Sequence, residues 1–177
     1  MNFQPTDIEG VVLVSPERFD DERGFFARTW GQDVFEANGL KQPMVQRNLS
    51  YNRQSGTLRG MHYQRAPHAE VKLVSCLAGT IFDVAVDLRS DSPTFGKWVG
   101  YELRPETGNS LYIPEGCAHG LLTLEPGSVV EYLISAYYAP QAACGVRWDD
   151  AFFGIRWPTK PTVMNERDRT YPDFRPD

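Results

Sequence analysis

Thirteen prolines and fifteen glycines are scattered along all 177 residues, and this punctuation constrains the fold more than any other feature. In a helix interior each glycine costs about 1 kcal/mol and each proline about 3 kcal/mol relative to alanine, so long helices are excluded almost everywhere. The segments between the breakers are short and rich in Val, Ile, Phe, Tyr and Leu. "GVVLVSP", "TLRGMHY", "VKLVSCL", "TIFDVAVDLR", "WVGYEL", "NSLYIP", "SVVEYLISAYY" and "GVRWDD" read as eight strands, with turns at "AGT", "DSPTFG", "PETGN" and "EPGS". Many short strands at close spacing predict a sandwich or barrel. One helix is expected over "GQDVFEANGL", where Val34, Phe35 and Leu40 form an apolar face and Asn38-Gly39 supplies the stop. No repeat or linker divides the chain, so residues 1–177 are read as one domain, with an extended, surface-wrapped tail from Trp157.

The net charge of −5 argues against nucleic acid or a membrane surface as partner, because both reward a basic face. An anionic ligand would need a local group of arginines. The three cysteines, Cys76, Cys117 and Cys144, show no metal-binding spacing and fit free thiols in a reducing compartment, so a cytoplasmic location is expected. No apolar run reaches the roughly 18 residues of a membrane span, and "MNFQPTDIEG" lacks the pattern of a secretory leader.

Two constellations carry chemistry. In "TIFDVAVDLR", alternation places Phe82, Val84, Val86 and Leu88 on one face and Ile81, Asp83, Ala85 and Asp87 on the other. The second face either meets solvent or lines a pocket in which Asp83 orients a histidine. In "GNSLYIPEGCAHGLLT", the spacing Gly108, Pro114, Gly116, His119 resembles the second motif of the cupin superfamily, with Thr123 where Asn is common. That resemblance implies an all-β, cupin-type jelly-roll barrel with a few short helices, "PEG" turning the chain so that His119 enters the barrel. The first cupin motif carries a His-x-His pair, whereas "GMHYQ" has Gln64 where the second histidine would stand. With the pair broken, no metal is expected, and His68 and Glu70 do not replace the missing ligand.

Chemistry without a metal needs a base and an acid. An imidazole, with an unperturbed pKa of about 6.5, suits proton abstraction at neutral pH, which nominates His62. A phenol across the substrate would return the proton, which nominates Tyr132 in "EYLISAYYAP". Lys72 supplies a fixed cation for a developing enolate, and Arg23 and Arg167 suit phosphate. Arg59 lies three residues before His62 and shares its face only if Gly60 marks a bulge.

"DERGFF", "LRGMHYQ", "VKLVSCLAGTIFDVAVDLRSDSPTFGKW", "LYIPEGCAHG", "EYLISAYYAP", "GVRWDD" and "GIRWP" together resemble, in order and spacing, the dTDP-4-dehydrorhamnose 3,5-epimerase family. The resemblance spans nearly the whole chain. It implies a nucleotide-diphosphate sugar substrate with a 4-keto-6-deoxyhexose, no cofactor, and a homodimer. His62 looks like the base, Asp168 its paired carboxylate, Lys72 the enolate stabiliser and Tyr132 the acid. Arg59 and His119 match residues around the sugar, and Arg23, Gln46, Asn48 and Arg167 match positions holding the diphosphate or base; Phe26 and Arg28 complete the expected binding set. Four positions depart from the family: Arg28 and Ala143 replace glutamates, and Arg47 and Leu133 replace Asp and Lys. The first two shift charge at the ligand rim by roughly three units, enough to alter sugar or nucleotide preference. Epimerisation at C3 alone, at C5 alone or at both, 3,4-ketoisomerisation, and sugar binding without turnover all remain open at this level, as does the choice between Asp83 and Asp168 as partner of His62.

Overall fold

The computed structural model describes residues 1–176. In chain order the elements are β1 (Asn2–Pro5), β2 (Val12–Ser15), β3 (Arg18–Asp21), β4 (Gly24–Ala27), α1 (Gln32–Ala37), β5 (Gln46–Asn52), β6 (Leu58–Gln64), β7 (Lys72–Ala78), β8 (Ile81–Asp87), β9 (Trp98–Leu103), β10 (Ser110–Ile113), β11 (Cys117–Thr123), β12 (Ser128–Ile134), β13 (Ala143–Gly145) and α2 (Glu166–Arg169). A six-stranded sheet runs β1-β2-β10-β7-β12-β5, a five-stranded sheet runs β13-β6-β11-β8-β9, and β3–β4 stand apart as a hairpin. Neighbours within these sheets pair antiparallel. Two such sheets face to face form the double-sheet barrel expected of a jelly roll.

Between the sheets lies a core built from Val74, Leu111, Ile113 and Val130 on one side and Ile81, Ala85, Leu103 and Leu121 on the other. Each sheet also has its outer face covered. Phe35 of α1 packs with Val14, Leu73 and Tyr112 outside the six-stranded sheet, meeting Phe3 edge-on at 5.1 Å. The tail lays Trp157 and Phe174 against Met61, Val84, Val86 and Phe153 outside the other. Burial on both faces explains why every residue of β11 is buried and why β8 shows almost no exposed position.

That double burial removes the solvent-facing reading of Asp83 and Asp87, since both are fully buried. Asp87 closes the loop after β8, accepting from Arg89 Nε, Ser92 Oγ and Thr94 Oγ1. Burial pushes its carboxyl up, but these donors outweigh the effect and hold it at about 2.

Four strands escape the sequence reading. β1, β3, β4 and β5 are polar or exposed edges without clean alternation, as in "QRNLSYN". "GVRWDD" contributes only Gly145 to a strand, because the chain turns at Asp150, whose Oδ1 accepts from Phe152 N–H. The tail is extended as expected, yet it carries α2, capped by Asn165 Oδ1 accepting from Asp168 N–H at 2.7 Å.

Candidate active site

A cavity of about 480 Å³, lined by strands of both sheets, gathers most of the candidate residues. It is lined by Arg59, His62 and Gln64 from β6, Lys72 from β7, His119 from β11 and Tyr132 from β12. Gln46, Asn48 and Ser50 of β5 stand at one side, and Arg167 and Asp168 of α2 at another.

Arg59 and His62 share the cavity because β6 is bulged. His119 opposes His62 but Leu121 opposes Arg59, so three steps on β6 match two on β11. Gly60 makes this possible: its φ is +121°, and a Cβ there would lie 2.6 Å from Gly120 Cα. Arg59 is then held by Nε donating to Asn52 Oδ1 at 2.7 Å.

His62 Nε2 lies 2.7 Å from Asp168 Oδ1, and the Gly60 amide donates to Asp168 Oδ2 at 3.0 Å. The choice between aspartates is therefore resolved: Asp168 pairs with His62, while Asp83 Oδ1 lies 2.7 Å from Nε2 of His119. Burial pushes the Asp168 carboxyl up, but the bonds from His62 and Gly60 outweigh it and hold the group below the usual range. It stays an anion behind an imidazole whose side chain is 39% exposed to the cavity. A carboxylate accepting from Nε2–H leaves Nδ1 as the basic nitrogen.

Tyr132 has the opposite environment. Its hydroxyl bonds Ser50 Oγ at 3.2 Å, and its ring meets His119 edge-on at 5.9 Å. Burial, with a smaller push from Asp83, raises the phenol to about 12 against the pull of Ser50 and Arg59. It is neutral and carries a proton at physiological pH. Lys72 Nζ is paired with Glu70 Oε1 at 2.6 Å and donates to the His62 carbonyl at 3.4 Å.

Gln64, at the position of the missing histidine, is committed to the loops: its Nε2 donates to the His68 carbonyl and its Oε1 accepts from Ala139 N–H. Among the described residues no group of three His, Cys, Asp or Glu side chains is arranged to hold a metal. Sequence reasoning missed Ser50, Asn52 and Glu70 as supports for the acid, the guanidinium and the lysine; their signal was only their alternation with Asn48 in β5 and their distance of two residues from Lys72. His68 lies outside the cavity beside Gln141.

Three expected residues are not brought to this cavity within one chain. Arg23 and Phe26 project from the β3–β4 hairpin, Arg23 paired with Asp21 and Phe26 74% exposed. Arg28 lies just beyond, 3.6 Å from Asp33. The charge change of the cavity rim is thus limited, in one chain, to the loss at Ala143, which does line it. Arg47 pairs with Glu131, and Leu133 packs outside the six-stranded sheet.

A jelly-roll barrel whose interior presents a carboxylate-backed imidazole, an ammonium and a half-buried phenol defines a cupin-type protein equipped for proton transfer at carbon. The comparisons with known proteins narrow this class. Residues 5–176 match the family model described as dTDP-4-dehydrorhamnose 3,5-epimerase. The dTDP-4-dehydrorhamnose 3,5-epimerase of Sinorhizobium fredii is 43% identical over 175 residues, covering 98% of this chain and 90% of that one. The Bacillus anthracis enzyme of the same description, solved with TDP and PPi bound, superposes with a TM-score of 0.94 at 39% identity, covering 98% and 99%. The Legionella pneumophila dTDP-6-deoxy-D-glucose-3,5-epimerase, solved with dTDP-4-keto-L-rhamnose, gives 0.89 at 38% identity, covering 94% and 89%. The chain belongs to the dTDP-4-dehydrorhamnose 3,5-epimerase family, and is an isomerase.

Proposed function

We propose that this enzyme converts dTDP-4-dehydro-6-deoxy-D-glucose to dTDP-4-dehydro-L-rhamnose by inverting C3 and C5. The observation that carries the proposal is the His62–Asp168 pair, 2.7 Å apart, opening on the cavity that Tyr132 also lines. The C4 carbonyl acidifies the hydrogens on both neighbouring carbons. His62 removes one, the electrons move onto the carbonyl oxygen, and Lys72 stabilises the enolate as a fixed positive charge in a low-dielectric site. Tyr132 returns a proton to the opposite face of the carbon. Exchange with solvent then removes the proton from His62 and returns one to Tyr132, and repetition at the second carbon completes the reaction without a cofactor.

Arg167 suits the diphosphate, with Gln46 and Asn48 at the nucleotide end and Arg59 beside the sugar. Arg23, Phe26 and Arg28 fit the same role only across a subunit boundary. Their hairpin exposes Phe19, Phe25 and Phe26, and β5 exposes Leu49 and Tyr51. A homodimer in which the hairpin of one protomer reaches the cavity mouth of its partner accounts for both facts. The free cysteines fit a cytoplasmic enzyme.

Proton NMR of the protein with dTDP-4-keto-6-deoxyglucose in D2O, following C3 and C5 separately, tests the reading. Deuterium at both positions and an L-rhamno product after reduction are expected. Exchange at a single position would replace it with a monoepimerase, and no exchange by folded protein would refute the substrate.

A further inference from the structure

The cavity wall carries two Asp–His pairs, and the reaction above uses one. His119 and His62 are directly opposed on β11 and β6, so their side chains stand together on one face of the sheet. Each is tied through Nε2 to its own aspartate at 2.7 Å. The pairs differ in setting. His62 is 39% exposed, and Asp168 spends both oxygens on donors; the His119 side chain is 6% exposed, and Asp83 is completely buried. Asp83 Oδ2 has no hydrogen-bond partner among the described residues.

A fully buried carboxylate with one oxygen unpaired is costly to a fold, and apolar residues replacing both members of the pair would serve the barrel as well or better. Its neighbours on the interior face of β8 are the apolar Ile81 and Ala85, and the groups that favour its charge are His119 and Lys72. Its one bond is to His119, and His119 lines the cavity beside Tyr132 and Lys72. The useful output of Asp83 is therefore the state of that imidazole. Burial pushes the Asp83 carboxyl up, and His119 and Lys72 oppose it; in its ionised form the carboxylate accepts only, so Nε2 carries the hydrogen and a neutral ring is left with Nδ1 as an acceptor.

We propose that Asp83 is a positioning residue that locks the tautomer and orientation of His119, so that His119 offers an acceptor nitrogen to a hydroxyl group of the sugar. The proposal deepens the epimerase reading by assigning a hydroxyl donor on the substrate as a requirement of the second pair. It gives the neighbouring histidines separate tasks, one removing a carbon-bound proton and the other fixing the ring that bears it.

Long-range proton–nitrogen NMR of the free enzyme reads the tautomer without substrate, and with three histidines in the chain the signals are assignable. The wild type is expected to show His119 protonated on Nε2 alone. In Asp83→Asn the amide can donate or accept, so the His119 signals should broaden or move to a mixture, while KM rises at least 10-fold with a smaller change in kcat. Asp83→Leu should lose the same affinity and also melt at a lower temperature, because it strands the buried His119 N–H. Protonation of His119 on Nδ1 in the wild type, or an unchanged KM in folded Asp83→Asn, would overturn the proposal. Because the NMR arm involves no turnover, its failure is distinct from failure of the epimerase reading, which the exchange experiment decides.

Discussion

Replacing Asp168 separates two things the carboxylate does, and the two natural replacements should rank in opposite order for stability and for rate. Asp168 is buried and accepts from a fixed donor, the Gly60 amide at 3.0 Å, and from His62 at 2.7 Å. Asp168→Ala strands the Gly60 amide in the protein interior, which costs about 1–3 kcal/mol. Asp168→Asn can still satisfy that amide through its carbonyl oxygen and should cost about 1 kcal/mol. For the chemistry the order reverses. Once the asparagine oxygen faces Gly60, its NH2 faces His62 Nε2, which must then accept, and the ring hydrogen moves to Nδ1 where the base should be. A wrong tautomer in a comparable carboxylate–histidine arrangement costs on the order of 10⁴ in rate. Alanine imposes no tautomer and loses only orientation and charge, roughly 10²-fold. Solvent deuterium exchange at C3 and C5, with urea denaturation of the same samples, measures both orders. An asparagine variant that is folded and faster than the alanine variant would refute the reasoning. The pH dependence supplies a check of sign. The folded carboxyl is held below its unfolded value, so it stabilises above about pH 4 and the contribution disappears as pH falls through the folded value. The stability gap between wild type and Asp168→Asn should therefore close on acidification, not on alkalisation.

Asp87 gives a larger acid signature by the same logic: held at about 2 instead of 3.8, it contributes about 2 kcal/mol above pH 4 that is lost between pH 4 and 2. Asp87→Asn should lower the melting temperature at pH 7 and flatten its dependence on pH in that window. Gly60→Ala places a methyl group against Gly120 in a left-handed backbone and should destabilise by about 2 kcal/mol or more, with deuterium exchange falling as the Asp168 contact shifts; a melting temperature within a degree of wild type would contradict this.

The β8–β11 half of the barrel was readable because breakers bracket its strands and His119 follows the "PEG" turn. The residues of the acid–base set were nominated by chemical type and by resemblance, and their convergence came from three features that composition does not encode. One is the bulge at Gly60, raised as a condition in the sequence and visible only in the β6–β11 register. Another is Ser50 on an edge strand too polar to register as β. The third is the four-residue α2, far too short to carry a periodic signal, which places Asp168. The hairpin residues Arg23 and Phe26 do not reach the cavity of their own chain: Arg23 pairs with Asp21, and Phe26 is exposed.

His62 and Asp168 are 106 residues apart in the chain. During synthesis both sheets are complete by residue 145, whereas the carboxylate arrives only with the tail, which then docks through the Thr57–Val163 bridge and the Phe174 amide on Asp150. A chain interrupted between these points would bare Met61, Val84 and Val86 on the outer face of the five-stranded sheet, lose the Arg167 and Asp168 wall of the cavity, and leave His62 without its carboxylate. Turnover in this protein is thus a report on whether the tail was made and docked, because the last-placed segment closes one wall of the cavity and brings the carboxylate to His62.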